Sequence, residues 1–509
     1  MNDTPPALRS VVIVGGGTAG WMCAAAMSAF LNDGQRTFTL VESDDIGTVG
    51  VGEATIPPIV NFNRLLGISE PDFVSACQAT FKLGIEFAGW GAPGERYFHP
   101  FGRFGQDLQG VAFHQFWLKH RHSPGVPPLS ECSMSQAAAM AGRFAPPSSD
   151  PRQPLSTLAY AYHFDATLYA RLLRTQAEGQ GTRRIEGRIV EAERDGETGH
   201  VTAVVLEDGR RIEGELFVDC SGFRSMLLGE TMEVGYRDWS HWLPCDRALA
   251  VPSERTQAPI PYTRSTAHPN GWQWRIPLQH RTGNGLVYAS AHLSDDEAAE
   301  QLLAHLDAPA LGEPRLLRFK AGVRERMWEK NVVGIGLASG FLEPLESTSI
   351  HLIQTGISKL LWLFPDSSLS EVERNEYNRL MTAQFEAVRD FIILHYHATT
   401  REDGALWRYT RAMPIPGSLA HKIALFREKG RVLRYDDELF DVPNWIAVML
   451  GQNIEPRGYD PMVDSMDDTR VIEALGKIAA ANREQARRMP MHEEYIRHLS
   501  APRAEKAHA

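Results

Sequence analysis

The chain has 509 residues, 43% of them hydrophobic and 23% charged, and carries a formal net charge of −11 at pH 7. That length exceeds one small core and implies a large domain with an added layer, or two closely packed domains. The acidic balance excludes a nucleic-acid-binding surface, which needs clustered Lys and Arg. Five cysteines, Cys23, Cys77, Cys132, Cys220 and Cys245, are odd in number and include no C-x-x-C pair. This argues against a disulfide framework or a structural metal site and for a cytoplasmic protein.

Residues 11–14, Val-Val-Ile-Val, read as a central parallel strand. The turn Gly15-Gly16-Gly17-Thr18-Ala19-Gly20 follows, then a helix beginning near Trp21 and a second strand over 38–41 that ends at Glu42. Residues 11–31 carry no charge and could pass for a signal peptide or a membrane span. Asp3 offsets Arg9 ahead of them and the glycines interrupt them, so a buried βα unit is the better reading, with no membrane contact. Residues 71–90 read as an amphipathic helix, with Phe73, Cys77, Phe81, Ile85 and Ala88 on one face. Residues 97–105 read as a loop and 123–154 as a long flexible excursion. Short β-like runs at 188–190 and 201–206 precede an Asp208-Gly209 hairpin turn, and further strands are expected at 216–219 and 331–336. Beyond 350 the pattern is mostly helical. Ser370 and Glu373 suggest a capping box, followed by a face of Tyr377, Met381, Phe385, Val388, Ile392 and Tyr396. Residues 501–509 are polar and expected to fray.

The glycine turn sits between a strand and a helix, the context that makes it a dinucleotide-binding loop. Gly15 permits the tight turn, Gly17 lets a pyrophosphate approach the backbone, and Gly20 lets helix and strand pack. Thr18 and Ala19 open the helix, and Glu42 is placed for ribose hydroxyls. Two later segments favour FAD over NAD. Asp219-Cys220-Ser221-Gly222-Phe223-Arg224-Ser225 resembles the D-x-x-G-x-x-S segment of FAD monooxygenases, and the strand ending at Gly336 stands where those enzymes hold the flavin. No second G-x-G-x-x-G marks a domain for NADH, so electrons must arrive from elsewhere.

Four further segments, in order, resemble the tryptophan-halogenase-like family of flavin-dependent halogenases. They are Gly50-Val51-Gly52-Glu53-Ala54-Thr55-Ile56-Pro57, Thr80-Phe81-Lys82, Trp272-Gln273-Trp274-Arg275-Ile276-Pro277 and Phe341-Leu342-Glu343-Pro344-Leu345-Glu346-Ser347-Thr348-Ser349-Ile350. The resemblance runs from about residue 11 to beyond 350. It implies that FAD, reduced by a separate NADH-dependent flavin reductase, uses O2 to turn chloride or bromide into hypohalous acid. The oxidant then reaches Lys82, which activates it toward an indole or similar electron-rich ring, either as an ammonium hydrogen-bonding the oxidant or through a haloamine. An ordinary surface lysine paired with Glu86 is the alternative for Lys82.

The resemblance assigns Glu346 to the reacting ring; the residue types alone also allow a carboxylate at a helix start. It puts halide at Thr348 and Ser349, where tryptophan halogenases often have Gly at the second position. Flavin contacts are implied at Ala54, Ile189, Leu337 and Ile350. Trp272 and Trp274 are expected to screen flavin from substrate, or simply to pack on one strand face. His99 and Phe101 are expected to stack on the substrate ring, with Phe440 and Trp445 as further pocket walls. True tryptophan halogenases grip the amino acid with a tyrosine pair, a glutamate and a Phe-Trp step; residues 435–445 here show no such clamp. A simple indole, or a larger indole- or phenol-bearing molecule, fits better than free tryptophan.

The fold expected is α/β: an FAD-binding Rossmann-like domain with an added β-sheet layer over 1–350, and a mainly helical region over 351–509 that covers the substrate pocket. A homodimer is a family-level expectation. An FAD-dependent aromatic monooxygenase and a non-catalytic flavin-binding redox sensor are the alternatives.

Overall fold

In the computed structural model, which describes residues 6–44 and 52–500, the uncharged run after Arg9 forms the strand Ser10–Val14 and the helix Thr18–Leu31. Val11 through Val14 are all buried, as a strand covered on both faces requires. It is the fourth strand of a six-stranded sheet, flanked by Leu216–Asp219 and Thr37–Glu42, both parallel to it. Val14 therefore lies level with Asp219 on one side and Val41 on the other. Val332–Gly334 extends the parallel set beyond Leu216–Asp219, and Arg183–Glu186 extends it beyond Thr37–Glu42.

The added layer is a seven-stranded sheet among the described residues. Its order runs Arg315–Arg318, Arg247–Ser253, Thr282–Tyr288, Gly271–Pro277, Thr263–His268, Gly84–Ala88, Arg96–Pro100. The strand Gly271–Pro277, with both signature tryptophans, lies at its middle. A small antiparallel sheet, Gly52–Ala54, Ala161–Asp165 and Thr80–Lys82, stands beside it and pairs Lys82 with Ala161.

The helix expected over 71–90 breaks into three pieces. A short helix, Glu70–Ala76, capped by the Ser69 side chain, ends where Gln78 takes a left-handed turn at φ 51°. The strands Thr80–Lys82 and Gly84–Ala88 follow. Ala79, Leu83, Phe87 and Trp90, off the supposed apolar face, are as buried as Phe81 and Ile85. With no polar face, the periodicity carried no information. The expected loop at 97–105 begins as the edge strand Arg96–Pro100. The excursion at 123–154 is docked: it contains the helix Met134–Met140, and Met134, Ala138, Ala139 and Phe144 are in the core.

The hairpin at Asp208-Gly209 joins Val201–Leu206 to Arg211–Glu213. C-terminal to 349 the described chain is helical. The 27-residue helix Glu371–His397 buries Tyr377, Met381, Phe385, Val388, Ile392 and Tyr396 on one face. Ser370 precedes this helix without a side-chain cap bond, so the capping box does not form and burial of the apolar face holds the helix instead. Gly50, Val51 and residues 501–509 lie outside the described residues. Among the described residues no helix is long and apolar enough to cross a membrane.

Candidate active site

Three segments converge on the glycine turn. Gly15 adopts φ 108°, and a Cβ there would lie 2.4 Å from the Cys220 carbonyl oxygen; one on Gly20 would lie 1.8 Å from the Gly15 carbonyl oxygen. Strand, turn and helix are thus packed as closely as glycine permits. Gly17 caps the helix in extended conformation with no side-chain cap bond, leaving the first amides of a 14-residue helix open to an anion. Residues 15–19 are partly exposed, whereas the flanking strand and helix are buried. Gly336, at φ 74°, brings the start of its turn against Ala19, with Leu337 partly exposed beside it.

Glu42 ends its strand over Gly16, whose space for a Cβ its carboxylate fills. Arg184 holds Glu42 Oε1 at 2.5 Å, a partner visible only once the neighbouring parallel strand is in place. Asp219 is fully buried. Its Oδ1 accepts from Ser221 N–H and Oγ–H, and its Oδ2 from the N–H groups of Leu227 and Leu228 at 2.8 Å. These four bonds shape the turn after the strand. Ala54 and Ile350 are buried; Ile189 is buried in the cluster around Val12, Val14 and Val41. A cradle of glycine, open helix amides and an acidic strand end fits a dinucleotide such as FAD.

Lys82 is the second centre. Its relative exposure is 0%, and its Nζ donates to Ser347 Oγ at 2.8 Å. The Phe101 ring lies 5.2 Å from the ammonium. Burial pushes the Lys82 pKa down to about 7, against the opposing pull of Glu346. The surface pairing with Glu86 does not form: Glu86 binds Arg264 at 2.5 Å and Arg96 at 3.2 Å. Lys82 is also on a strand, a correction to the helix expected there. Strand residue Phe81 donates its N–H to His492 Nε2 at 3.0 Å, while His492 Nδ1 meets the Pro259 carbonyl at 2.8 Å. A residue 411 positions away thus caps the edge of the lysine strand.

Glu346, also at 0% exposure, ends the turn Pro344–Glu346, and Ser347 follows in left-handed conformation at φ 60°. That reversal aims the Ser347 hydroxyl at Lys82 and starts the helix Ser349–Trp362. His395 Nε2 lies 2.6 Å from Glu346 Oε1, and His99 Nδ1 lies 2.9 Å from Oε2. The other nitrogens assign the tautomers. Asn444 Oδ1 accepts from Asp441 N–H, so its Nδ2 donates to His99 Nε2 at 2.9 Å. Gln452 Nε2 donates to the Tyr97 hydroxyl, which in turn donates to His395 Nδ1 at 3.0 Å. Each histidine therefore turns its remaining N–H toward Glu346. Burial also holds the His395 pKa well below its usual value.

Thr348 caps the helix Ser349–Trp362 without a side-chain bond, and its Oγ1 is buried with no partner. A buried, unsatisfied hydroxyl beside open helix amides is a place for a small anion. Ser349 is half-buried at the first helical position.

His99 lies in the edge strand Arg96–Pro100 and Phe101 directly follows it; His99 is 1% exposed with both nitrogens engaged. Phe440 stacks on Phe391 at 3.8 Å and stands 6.4 Å from the His99 ring. Trp445 meets Phe391 edge-on at 4.8 Å, its indole N–H buried without a partner. Lys422 lies over Trp445 at 5.1 Å and over Tyr435 at 4.7 Å. Its ammonium is taken up by the Leu433 carbonyl and both oxygens of Glu438. Trp272 and Trp274 are buried neighbours 6.1 Å apart, and Trp272 Nε1 donates to Glu343 Oε1 at 3.1 Å.

Ser347, His395, Asn444 and Arg184 did not emerge from the sequence as site residues. Ser347 stood inside the quoted motif. His395 sits one residue before Tyr396 of the marked helix face, and only the folded contact distinguishes it.

A family model described as tryptophan halogenase matches residues 10–468. The 7-chloro-L-tryptophan 6-halogenase KtzR of Kutzneria sp. (strain 744) is 36% identical over 438 residues, 81% of this chain and 84% of that protein. A solved flavin-dependent halogenase from Xanthomonas campestris superposes with a TM-score of 0.93 at 50% identity, covering 97% of this chain and 98% of that one. BrvH, a flavin-dependent halogenase from Brevundimonas sp. BAL3, gives 0.93 at 48% identity over 97% and 99%.

Proposed function

The chain belongs to the tryptophan halogenase family of flavin-dependent enzymes, and from that premise we propose that it halogenates a neutral indole-type ring at Lys82. The observation that carries this reading is a lysine with 0% exposure, bound to Ser347, in a turn that also presents Glu346 and Thr348. A buried ammonium costs several kcal/mol, which a fold retains where the nitrogen has work to do.

Gly15, Gly17, Thr18, Ala19 and Gly20 would hold the pyrophosphate of FAD and Glu42 its ribose, with Ala54, Ile189, Asp219, Gly336, Leu337 and Ile350 on the flavin side. So bound, and reduced by a separate NADH-dependent reductase, the cofactor would supply two electrons to O2, with the balance FADH2 + O2 + X− + H+ giving FAD + HOX + H2O. Thr348 and Ser349 hold chloride or bromide.

Lys82 then binds the hypohalous acid and presents its halogen to the ring: ArH + HOX gives ArX + H2O. With a pKa near 7, Lys82 offers both ammonium and free amine at neutral pH. Glu346 stabilises the cationic ring intermediate and accepts its proton. His99 and His395 point N–H donors at its carboxylate and hold its orientation. Trp272 and Trp274 keep the organic ring from the flavin.

The wall formed by Tyr435, Phe440 and Trp445 has its charges already paired, Lys422 with Glu438. Among the described residues the Lys422 ammonium at this wall is already taken up by Glu438, which leaves it no hold on a free carboxylate and supports a neutral indole over free tryptophan. The test is mass spectrometry of an indole panel and free tryptophan, each incubated with enzyme, FAD, NADH, a flavin reductase and bromide or chloride. A halide-dependent mass on indole, exceeding that on tryptophan, is expected. Oxygenated product with no dependence on halide contradicts the reading and favours a monooxygenase.

A further inference from the structure

Glu343 is a fully buried acid, and none of the roles above uses it. It lies three residues before Glu346, and two donors meet at one of its oxygens. Trp272 Nε1–H reaches Oε1 at 3.1 Å and the Tyr396 hydroxyl reaches the same atom at 2.5 Å. Oε2 is buried with no hydrogen-bond partner. The acid thus ties together the strand Gly271–Pro277, the turn that carries Glu346, and the end of the long helix next to His395. The Trp272 indole cannot swing without giving up the bond of its buried N–H to Glu343.

We propose that Glu343 is a positioning residue: by accepting the indole N–H it fixes the Trp272 ring, and so sets how much of the oxidising power drawn from O2 ends in halogenated product. The remainder leaves as hydrogen peroxide, FADH2 + O2 giving FAD + H2O2. The inference rests on the halogenase reading.

Two features support it. Among the described residues no Lys or Arg forms an ion pair with Glu343, so the bonds from Trp272 and Tyr396 are its only polar restraints. Burial pushes Glu343 up to about 7, the two hydrogen bonds opposing. Cys245 and Tyr396, the titratable groups that face it, are pushed well above their ordinary values by burial and stay neutral. Around neutrality only Glu343 changes charge at this junction. Above its pKa the carboxylate grips the indole with a charge-assisted bond; below it the acid grips more weakly.

The experiment compares wild type, Glu343→Gln, Trp272→Phe and the double variant as FAD-loaded enzymes with a reductase, indole and bromide. Halogenated product and peroxide are measured per NADH consumed from pH 6 to 8. Lys82 titrates in the same range in both proteins, so the wild-type yield is read relative to Glu343→Gln, and that ratio is expected to rise with pH. At pH 8 the Glu343→Gln yield should be lower by roughly threefold, reflecting the lost charge. Adding Glu343→Gln to Trp272→Phe is expected to cause no further loss, because the residue acts through that ring. On the FAD-free proteins, the ultraviolet resonance Raman signature of indole N–H hydrogen bonding, isolated by subtracting Trp272→Phe, should weaken in Glu343→Gln. Losses that add in the double variant, a wild-type to Glu343→Gln yield ratio that does not change with pH, or an unchanged Raman signature each overturn the proposal. A wild type that halogenates nothing sinks the halogenase reading and the partition claim together. Normal halogenation with an unchanged Raman signature sinks the Glu343 claim alone.

Discussion

Lys82 is held at a cost that its surroundings only partly offset. One hydrogen bond to Ser347, the face of Phe101 and the nearby Glu346 replace a full hydration shell. Its folded pKa, about 7, is below the unfolded 10.5, so the unfolded chain binds the extra proton between those values. The stability penalty is therefore complete at and below pH 7 and is relieved as pH rises toward 10.5. Lys82→Met is expected to stabilise the protein by about 1–4 kcal/mol at pH 6.5. The gain should shrink at pH 9.5, as measured by urea unfolding at the two pH values. A methionine variant less stable than wild type at pH 6.5 contradicts this account of burial. The sequence marked Lys82 through its neighbours Thr80 and Phe81 in a family motif. That motif outranked the surface pairing with Glu86, four residues on, whose partners in the fold, Arg96 and Arg264, come from other strands.

At the scale of elements, local pattern served well in several segments and failed in one that is buried throughout. The βαβ unit, the Asp208-Gly209 hairpin and the apolar face of the long helix formed as read. Residues 79–90, buried on every side, yielded two strands in place of a helix. The strand Thr80–Lys82 has only three residues, and its outer edge is closed by His492 from the helix His492–Ser500. No local pattern could announce a bond across 411 positions.

That bond has a pH signature. Burial lowers the His492 pKa to about 4, below the unfolded 6.5, so the neutral ring stabilises fully above pH 6.5 and its contribution is lost as pH falls toward 4. His492→Leu should cost about 1–3 kcal/mol at pH 7.5 by stranding the Phe81 N–H and the Pro259 carbonyl. The cost should diminish on titration to pH 4.5, read as the difference between the two denaturation curves. A cost independent of pH contradicts a neutral histidine at the strand edge.

For the whole molecule, the order of motifs revealed more than composition did. The glycine loop, the lysine, the tryptophan pair and the Glu346 turn are spread over more than 330 residues, yet the sheets gather them into two adjoining centres. The Asn444–His99–Glu346–His395–Tyr97–Gln452 chain of hydrogen bonds crosses from the edge strand to three separate places in the C-terminal helices. Such a chain exists only after packing, which explains why Glu346 was legible while its two histidine donors were not. It also ties the helical region to the turn that carries Glu346.

The central claim is that Lys82 delivers the halogen, and one comparison tests it most directly: brominated indole and NADH consumption measured side by side for wild type and Lys82→Ala, with the same reductase and bromide. The account predicts brominated product from wild type and none from the variant, with flavin oxidation by O2 unchanged. A variant that brominates indole at the wild-type rate contradicts it.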